Sequence, residues 1–366
     1  MSKLVILTAG GTGGHVFPAE ALAAELLGRG HRLGLVTDMR GAAYKGTLGD
    51  ITTWRVRAGG ILGRGVVAKM RSVAELLIGS IQARGILRVQ KPAAVVGFGG
   101  YASVPAMWAA TQLGLPSLIH EQNAVLGRAN RLLAKRVGAI ATSFEETAAV
   151  PGEAVGRVTR TGMPVRPAIQ AVAGAPYQAP IADGPFRLLV IGGSQGAHVF
   201  STVIPEALSR LPRVLLDRLE LTQQCRPEDL DDARTAYDKL GIRAELASFF
   251  ADVPARLEKA HLVIARAGAS TMAELTTLGR PAILVPYPFA VDDHQSANAH
   301  ALDETGGGWL IESDHFTPET LASRLESLIG SAQALSKAAA CAAAVGRPKA
   351  AAHLADLVES LMEKAS

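Results

Sequence analysis

Leu4-Val5-Ile6-Leu7-Thr8-Ala9-Gly10-Gly11-Thr12-Gly13-Gly14-His15 is the stretch whose reading decides the fold. Its four apolar residues read as a strand buried on both faces, and the glycines behind them as a turn into a helix. Leu188-Leu189-Val190-Ile191-Gly192-Gly193-Ser194-Gln195-Gly196-Ala197-His198 repeats the plan. Both copies hold a hydroxyl residue inside the glycines and end on His. Between them, residues 33–36, 94–96, 117–119 and 139–142 read as strands, and 19–27 and 104–112 as helices. After the second copy, 262–265 and 282–285 continue the rhythm, and 338–364 reads as Ala-rich helix. The pattern predicts an α/β chain of two Rossmann-like domains whose parallel sheets face one another across a cleft. Ligands of such sheets sit at the carboxyl ends of the strands, where these loops lie.

The chain has 366 residues and a mass of 38.1 kDa, the size of two domains. Hydrophobic residues make up 48% and charged residues 19%, which excludes a disordered chain. A net charge of +4 over this length is no nucleic-acid signature, and 5% aromatics are too few for a base-stacking surface. Mean hydropathy is high at +0.21, yet Gly, Pro or a charge cuts every apolar run short of the ~20 residues a membrane span needs. Met1-Ser2-Lys3 runs straight into the first strand without the layout of a signal peptide. Cys225 and Cys341 form no zinc or disulfide spacing, so a reducing compartment is expected.

Pro164, Pro167, Pro176, Pro180 and Pro185 disfavour helix and central strand, so 164–185 reads as a linker. The expected domains are 1–163 and 186–345, with 346–366 a C-terminal helix packing back on the first domain. Gln223-Gln224-Cys225-Arg226 carries no assignment.

Three glycine loops lead from strands into helices: 10–14, 97–100 and 192–196. Such loops present backbone N–H groups at the positive end of a helix dipole, where phosphate binds. A tight turn that only Gly fits is the plainer reading of each, but three together favour a phosphorylated or diphosphate ligand. No GK[ST] follows any of them. Gly97–Ala102 matches GxGxxA, a dinucleotide-binding variant, although its downstream acid, Glu121, lies in a polar His-Glu-Gln-Asn cluster. Gly192–Gly196 matches GxSxG, so Ser194 reads as a phosphate ligand or helix cap, with a hydrolase nucleophile as the alternative.

Arg266-Ala267-Gly268-Ala269-Ser270-Thr271-Met272-Ala273-Glu274 follows a strand. Thr271 and Glu274 have capping-box spacing. The sharper reading is a nucleotide site, with N–H groups and hydroxyls on a diphosphate and Glu274 on ribose hydroxyls. Pro286 to Asn298 supplies amides and carboxylates suited to hydroxyl-rich ligands. The only DxD, Asp229-Leu230-Asp231, lies in a charged helix-like segment with no strand before it, and HExxH is absent.

These elements occur in order as GGTGGHVFPA (10–19), GFGGYAS (97–103), HEQN (120–123), GMPVRP (162–167), GGSQGA (192–197), RAGASTMAELTTLGRPAILVP (266–286) and DDHQSANA (292–299). The chain thereby resembles the bacterial N-acetylglucosaminyltransferases of peptidoglycan synthesis, from Leu4 to about Gly308. The resemblance implies a GT-B fold, with an acceptor-binding, membrane-associating first domain and a UDP-sugar-binding second. It implies inverting transfer of N-acetylglucosamine from UDP-N-acetylglucosamine to the 4-hydroxyl of undecaprenyl-diphospho-N-acetylmuramoyl-pentapeptide, with no cofactor and no metal. The implied location is the cytoplasmic face of the inner membrane, with an anionic membrane surface and cell-wall synthesis proteins as partners and no nucleic acid. A UDP-N-acetylglucosamine epimerase of related fold and an NAD-dependent oxidoreductase are the competing readings.

Residue by residue, the resemblance implies His15 as general base. It puts Thr12, Gly13, Gly14, Asn123, Arg166, Ser194, Phe250, Ala269, Ser270, Thr271, Met272, Ala273, Glu274, Gln295 and Asn298 on UDP-N-acetylglucosamine. Within that set Phe250 holds uracil by its backbone, Glu274 the ribose, and Gln295 and Asn298 the sugar hydroxyls. Gly11, Thr12, Gly13, Gly14, Gly99, Gly100 and Tyr101 are implied for the acceptor diphosphate. Met163 departs from the Asn of GNPVR, and His294 from Gln.

A single displacement needs no enzyme nucleophile. The dipole at a helix start favours the neutral imidazole that a base at His15 requires, while capping the helix or bonding the acceptor is its plainer role. His120 reads as structural or acceptor-binding, and the other histidines as surface or cap residues. Residues 66–87 hold Met70, Val73, Leu76, Leu77, Ile78, Ile81, Ile86 and Leu87, with Lys69, Arg71, Arg84, Arg88 and Lys91 around them. Part of this is core helix, and the surplus apolar surface with a basic rim suits an anionic membrane.

Overall fold

The computed structural model describes residues 2–10, 13–39, 46–59, 66–193 and 196–365, and of 66–69 the backbone alone. The chain divides into two compact units, Met1–Pro167 with Arg347–Ser366, and Ala168–Gly346.

Among the described residues the first unit has seven strands: β1 (Leu4–Thr8), β2 (Arg32–Asp38), β3 (Thr52–Val56), β4 (Ala94–Gly97), β5 (Ser117–Glu121), β6 (Ala139–Thr142) and β7 (Val158–Arg160). They pair in parallel in the order β3-β2-β1-β4-β5-β6-β7. The apolar runs are continuous because helices cover both faces: Val5, Ile6 and Leu7 are fully buried. The helix Ala350–Lys364 belongs to this unit. Its Leu354, Ala355, Val358 and Met362 recur at helical spacing and enter the core with Val5, Leu22 and Leu26. Arg29 clamps its outer edge, 2.7 Å from Asp356 and 2.6 Å from Glu359, and His31 adds a 2.9 Å contact to Glu359.

The second unit repeats the plan with β8 (Phe186–Ile191), β9 (Leu219–Gln224), β10 (Ala244–Ala247), β11 (Leu262–Ala265), β12 (Ala282–Leu284) and β13 (Gly308–Leu310). All pair in parallel, in the order β10-β9-β8-β11-β12-β13. In both sheets the order reverses beside the first strand. The crevices where α/β sheets bind ligands therefore open at the carboxyl ends of β1 and β4, and of β8 and β11.

Four readings of the sequence need correction. The DxD does have a strand before it: β9 ends at Gln224, and the 3-10 turn Pro227–Asp229 follows. Its polar Gln223 and Gln224 hid it, and both are buried in the sheet. The proline-rich stretch contains the helix Pro167–Val172, whose first residue is a proline, a position where its missing N–H costs nothing. The Ala-rich tail is two helices, Ala332–Val345 and Ala350–Lys364, divided at residues 346–349, where Pro348 cannot continue a helix. His261 is no surface residue. It is buried, its Nδ1 accepts from the Arg187 N–H at 3.0 Å, and burial, with Arg187 and Arg218 nearby, pushes its pKa down to about 4.

Candidate functional site

The first unit's crevice is built from two helix starts. The strands set them side by side, since Thr8 of β1 is in register with Gly97 of β4. One helix runs Gly13–Gly28, the other Gly100–Gln112 with Gly99 in the N-cap place. The approach is close enough that a Cβ on Gly10 would lie 2.6 Å from the Ala102 Cβ. Gly99 has φ 81° and no side chain caps the second helix, so its first N–H groups, on Gly100, Tyr101 and Ala102, precede the intrahelical bonds.

His15 stands in the first turn of the first helix with its ring laid on the second helix start. A Cβ on Gly100 would meet the ring's Cδ2 at 3.3 Å and Nε2 at 3.4 Å, and one on Gly99 would meet Cε1 at 3.5 Å. The ring's Nδ1 is 3.2 Å from Gln122 Oε1. Behind it, Gln122 Nε2 donates to the Phe98 carbonyl at 2.9 Å and the His120 carbonyl at 3.1 Å, and lies 3.2 Å from His120 Nδ1. His120 is fully buried with Nε2 3.0 Å from the Gly162 carbonyl, and burial lowers its pKa, keeping it neutral.

Glu121, the next residue of the HEQN motif, is buried. Its carboxylate accepts from the Asn123 N–H and Nδ2, the Gly127 N–H and Asn130 Nδ2, between 2.7 and 3.2 Å. It is spent on its own loop, and the GxGxxA match therefore lacks a ribose-binding acid. Asn123 is held partly exposed by that carboxylate. Arg166 lies over the Phe17 ring at 5.2 Å, and Phe17 is in turn the side chain that a Cβ on Gly13 would strike at 2.8 Å. The structure thus gathers His15, Gly13, Gly14, Gly99, Gly100, Tyr101 and Arg166 around one pair of helix starts. Gly11, Thr12 and Ser194 lie outside the described residues.

In the second unit Ile191 of β8 is in register with Ala265 of β11, and Ala265 with Leu284 of β12. The loops after these strands are therefore neighbours. The helix Ala269–Leu278 starts directly behind β11, with Gly268 in the N-cap place and no side-chain cap. Thr271 is its third residue and Glu274 its sixth, so the capping-box reading of the pair is wrong. The first helical bond runs from the Met272 N–H to the Gly268 carbonyl, which leaves the N–H groups of Ala269, Ser270 and Thr271 ahead of the ladder. Met272 turns its side chain into the core, Ala273 is half-buried, and Glu274 is 8% exposed.

The residues around this helix start hold the loops. Asn298 is fully buried and donates to the Ala267 carbonyl at 3.0 Å. It supports the loop from behind. Gln295 remains partly exposed, and its Oε1 accepts from the Tyr287 N–H at 2.9 Å. Phe250 is buried under the Arg256 guanidinium, 4.2 Å from its ring, which leaves its backbone rather than its side chain to meet a ligand. His294 bonds Val291 O at 2.6 Å, and Met163 is buried.

Two supporting residues carry no role in the sequence reading. Gln122 lies inside HEQN, but only the folded structure shows that its amide faces His15. Arg266 donates to the Val285 and Pro286 carbonyls at 3.1 and 2.7 Å and tethers the loop after β12. Its position at the end of an apolar strand is the signal that was available.

Two parallel sheets of this order, each with an uncapped helix start at its crevice, give the chain the GT-B fold, and the family comparisons make it a glycosyltransferase. Residues 5–142 match the glycosyltransferase family 28 N-terminal domain, and 187–354 the family 28 C-terminal domain. The chain is similar to a UDP-N-acetylglucosamine--N-acetylmuramyl-(pentapeptide) pyrophosphoryl-undecaprenol N-acetylglucosamine transferase of Paramagnetospirillum magneticum. The two are 62% identical over 99% of this chain and 98% of the relative. The enzyme of the same name from Rhodospirillum rubrum is 56% identical over 97% of this chain and 91% of its own. The crystal structure of Acinetobacter baumannii MurG superposes with a TM-score of 0.81 at 30% identity, covering 98% of this chain and 99% of that one. The chain belongs to glycosyltransferase family 28, among its UDP-N-acetylglucosamine-dependent transferases.

Proposed function

We propose that this chain transfers N-acetylglucosamine from UDP-N-acetylglucosamine to the 4-hydroxyl of undecaprenyl-diphospho-N-acetylmuramoyl-pentapeptide, with His15 as general base. The observation that carries the reading is the 62% identity over 99% of the chain to an enzyme of that name. In a single displacement the acceptor O4 bonds to the anomeric carbon as the bond from that carbon to the UDP phosphate oxygen breaks. The acceptor proton passes to the His15 imidazole, and inversion turns an α-linked donor into a β-linked product. The charge that develops on UDP is met by the N–H groups of Ala269, Ser270 and Thr271 at a helix start already aimed at an anion. Glu274 takes the ribose hydroxyls, the Phe250 backbone the uracil, and Gln295 the sugar. The helix starts at Gly13 and Gly100, with Tyr101, take the acceptor diphosphate.

A lipid-linked acceptor requires a membrane surface. Among the described residues no single helix is long and apolar enough to cross a membrane. The helix Val66–Gln90, however, has two apolar faces. Ala83 and Leu87 enter the core, while Met70, Leu77 and Ile81 are 68%, 61% and 72% exposed and share another face. Arg84, Arg88 and Lys91 stand at its end, as docking on the anionic cytoplasmic leaflet asks. The test is transfer of labelled N-acetylglucosamine to a short-chain lipid-diphosphate acceptor. Acceptor-dependent release of UDP with a labelled disaccharide product is expected. Epimerisation of the donor without an acceptor would overturn the reading.

A further inference from the structure

The geometry points to Gln122 as a positioning residue that fixes which nitrogen of His15 carries the proton. This role rests on the reading of His15 as base and concerns only its tautomer. An amide can present its oxygen or its nitrogen to a given neighbour, and the neighbours decide. One end of the Gln122 amide lies 2.9 Å from the Phe98 carbonyl and 3.1 Å from the His120 carbonyl. Both are acceptors only, so that end must be the NH2 group. The oxygen is then committed to the other end, 3.2 Å from His15 Nδ1. An acceptor faces Nδ1, so Nδ1 carries the hydrogen and donates.

A neutral imidazole has one N–H, so the lone pair that can take a proton resides on Nε2. That nitrogen lies on the ring edge over Gly100, at the start of the second helix, on the side where the acceptor diphosphate is proposed to bind.

His120 reinforces the assignment. Its Nε2 can only donate to the Gly162 carbonyl, which leaves Nδ1 as an acceptor for the Gln122 NH2 group 3.2 Å away. A protonated His120 would set two donors against each other. The polarity of the chain therefore runs one way, from buried carbonyls through Gln122 to His15. The orienting group is a neutral amide, so it holds the same Nδ1–H bond in the imidazole and in the imidazolium formed when the acceptor proton arrives. A carboxylate there would raise the basicity of His15, and it would also face the Phe98 and His120 carbonyls with like charge.

The experiment uses the full-length enzyme labelled with 15N in its histidine rings, with His15→Ala to assign the signals. At neutral pH the long-range 1H–15N spectrum of the unmodified enzyme is expected to show His15 with Nδ1 protonated and Nε2 unprotonated. Gln122→Met removes the acceptor at similar length. His15 should then populate the Nε2–H tautomer, and kcat should fall at least tenfold, though not to the level of His15→Ala, with KM for UDP-N-acetylglucosamine within twofold of the parent. Gln122→Glu, which keeps an acceptor, should retain the Nδ1–H signature. An Nε2–H signature in the unmodified enzyme overturns the inference whether or not either variant folds. So does a folded Gln122→Met with unchanged tautomer and kcat. Should His15→Ala keep full turnover, the base reading fails instead, and the spectrum still decides the tautomer.

Discussion

Gly100→Ala puts the packing of His15 to a numerical test. Gly100 has φ +70°, a left-handed conformation that costs an L-residue ~1–2 kcal/mol. The new Cβ would also lie 3.3 Å from His15 Cδ2 and 3.4 Å from Nε2, so the ring must retreat by a few tenths of an ångström. Its bond to Gln122, already 3.2 Å, would lengthen. Misplacing a reacting group by ~1 Å costs about 100-fold, so a shift of a few tenths should cost roughly tenfold in kcat. Gly114→Ala is the control. Its φ is +67°, and a Cβ there meets nothing within 4 Å, so it carries the backbone cost without touching His15. Each variant should lower the melting temperature by a few degrees, as ~1–2 kcal/mol does in a unit of about 190 residues. Only Gly100→Ala should lose kcat, with UDP-N-acetylglucosamine affinity unchanged. The assay is UDP release with a water-soluble lipid-diphosphate acceptor, beside thermal melts. Equal turnover of the two variants would refute the claim that this glycine exists to seat the imidazole.

Glu274→Ala should weaken UDP-N-acetylglucosamine binding at least tenfold in titration calorimetry, because hydrogen bonds to a charged group contribute ~1.5–3 kcal/mol. Unchanged affinity would remove Glu274 from the donor site. Charge reversal of Arg84, Arg88 and Lys91 to Glu should weaken flotation with anionic vesicles, at ~1 kcal/mol per residue, while turnover of a soluble acceptor survives; equal flotation would move the membrane face elsewhere. Chelation with EDTA should lower the initial rate less than tenfold, because preorganised N–H groups at residues 269–271 meet the leaving diphosphate; complete loss restored by magnesium would show that they are not enough. His261 predicts an acid-sensitive second unit. Its folded pKa, about 4, lies below the unfolded value of ~6.5, so its contribution is whole above pH ~6.5 and is lost as pH falls toward 4. His261→Asn, which keeps an acceptor near the Arg187 N–H, should flatten that loss of about 1–2 kcal/mol in urea titrations, and an unchanged slope would show that another group is responsible.

The fold was legible where strands are buried on both faces and therefore apolar throughout. Leu4–Leu7 of β1, Ala94–Val96 of β4, Leu188–Ile191 of β8 and Leu262–Ala265 of β11 are such runs, and each crevice is bounded by two of them. β3, β9 and β10 lie toward the sheet edges and carry Thr52, Thr53, Glu220, Gln223 and Glu245, so no continuous apolar signal marks them. Local spacing misled where the true start of an element depends on its neighbours. Thr271 and Glu274 fit a capping box, yet the register of β11 begins the helix two residues before Thr271 and leaves Gly268 as its cap.

The glycine loops look alike in sequence and differ in what their crevices offer. At the β1 and β4 ends, two helix starts converge on one imidazole, and Gln122 supplies a neutral acceptor behind it. Such an arrangement orients the imidazole without adding a fixed negative charge to the anion-attracting helix starts. At the β8 and β11 ends, an uncapped helix start lies beside Glu274, a carboxylate about one turn along the same helix. That suits a ligand with an anionic end and a hydroxyl-rich end, since the N–H groups of residues 269–271 attract the first and the carboxylate accepts from the second. An exchange of these features would fail on both sides. A carboxylate beside His15 would repel an anionic ligand, and an imidazole in place of Glu274 would offer hydroxyl groups one ring nitrogen where two carboxylate oxygens now stand. The chemistry is thus divided by which side chain follows each glycine loop, on two sheets whose strand order is the same.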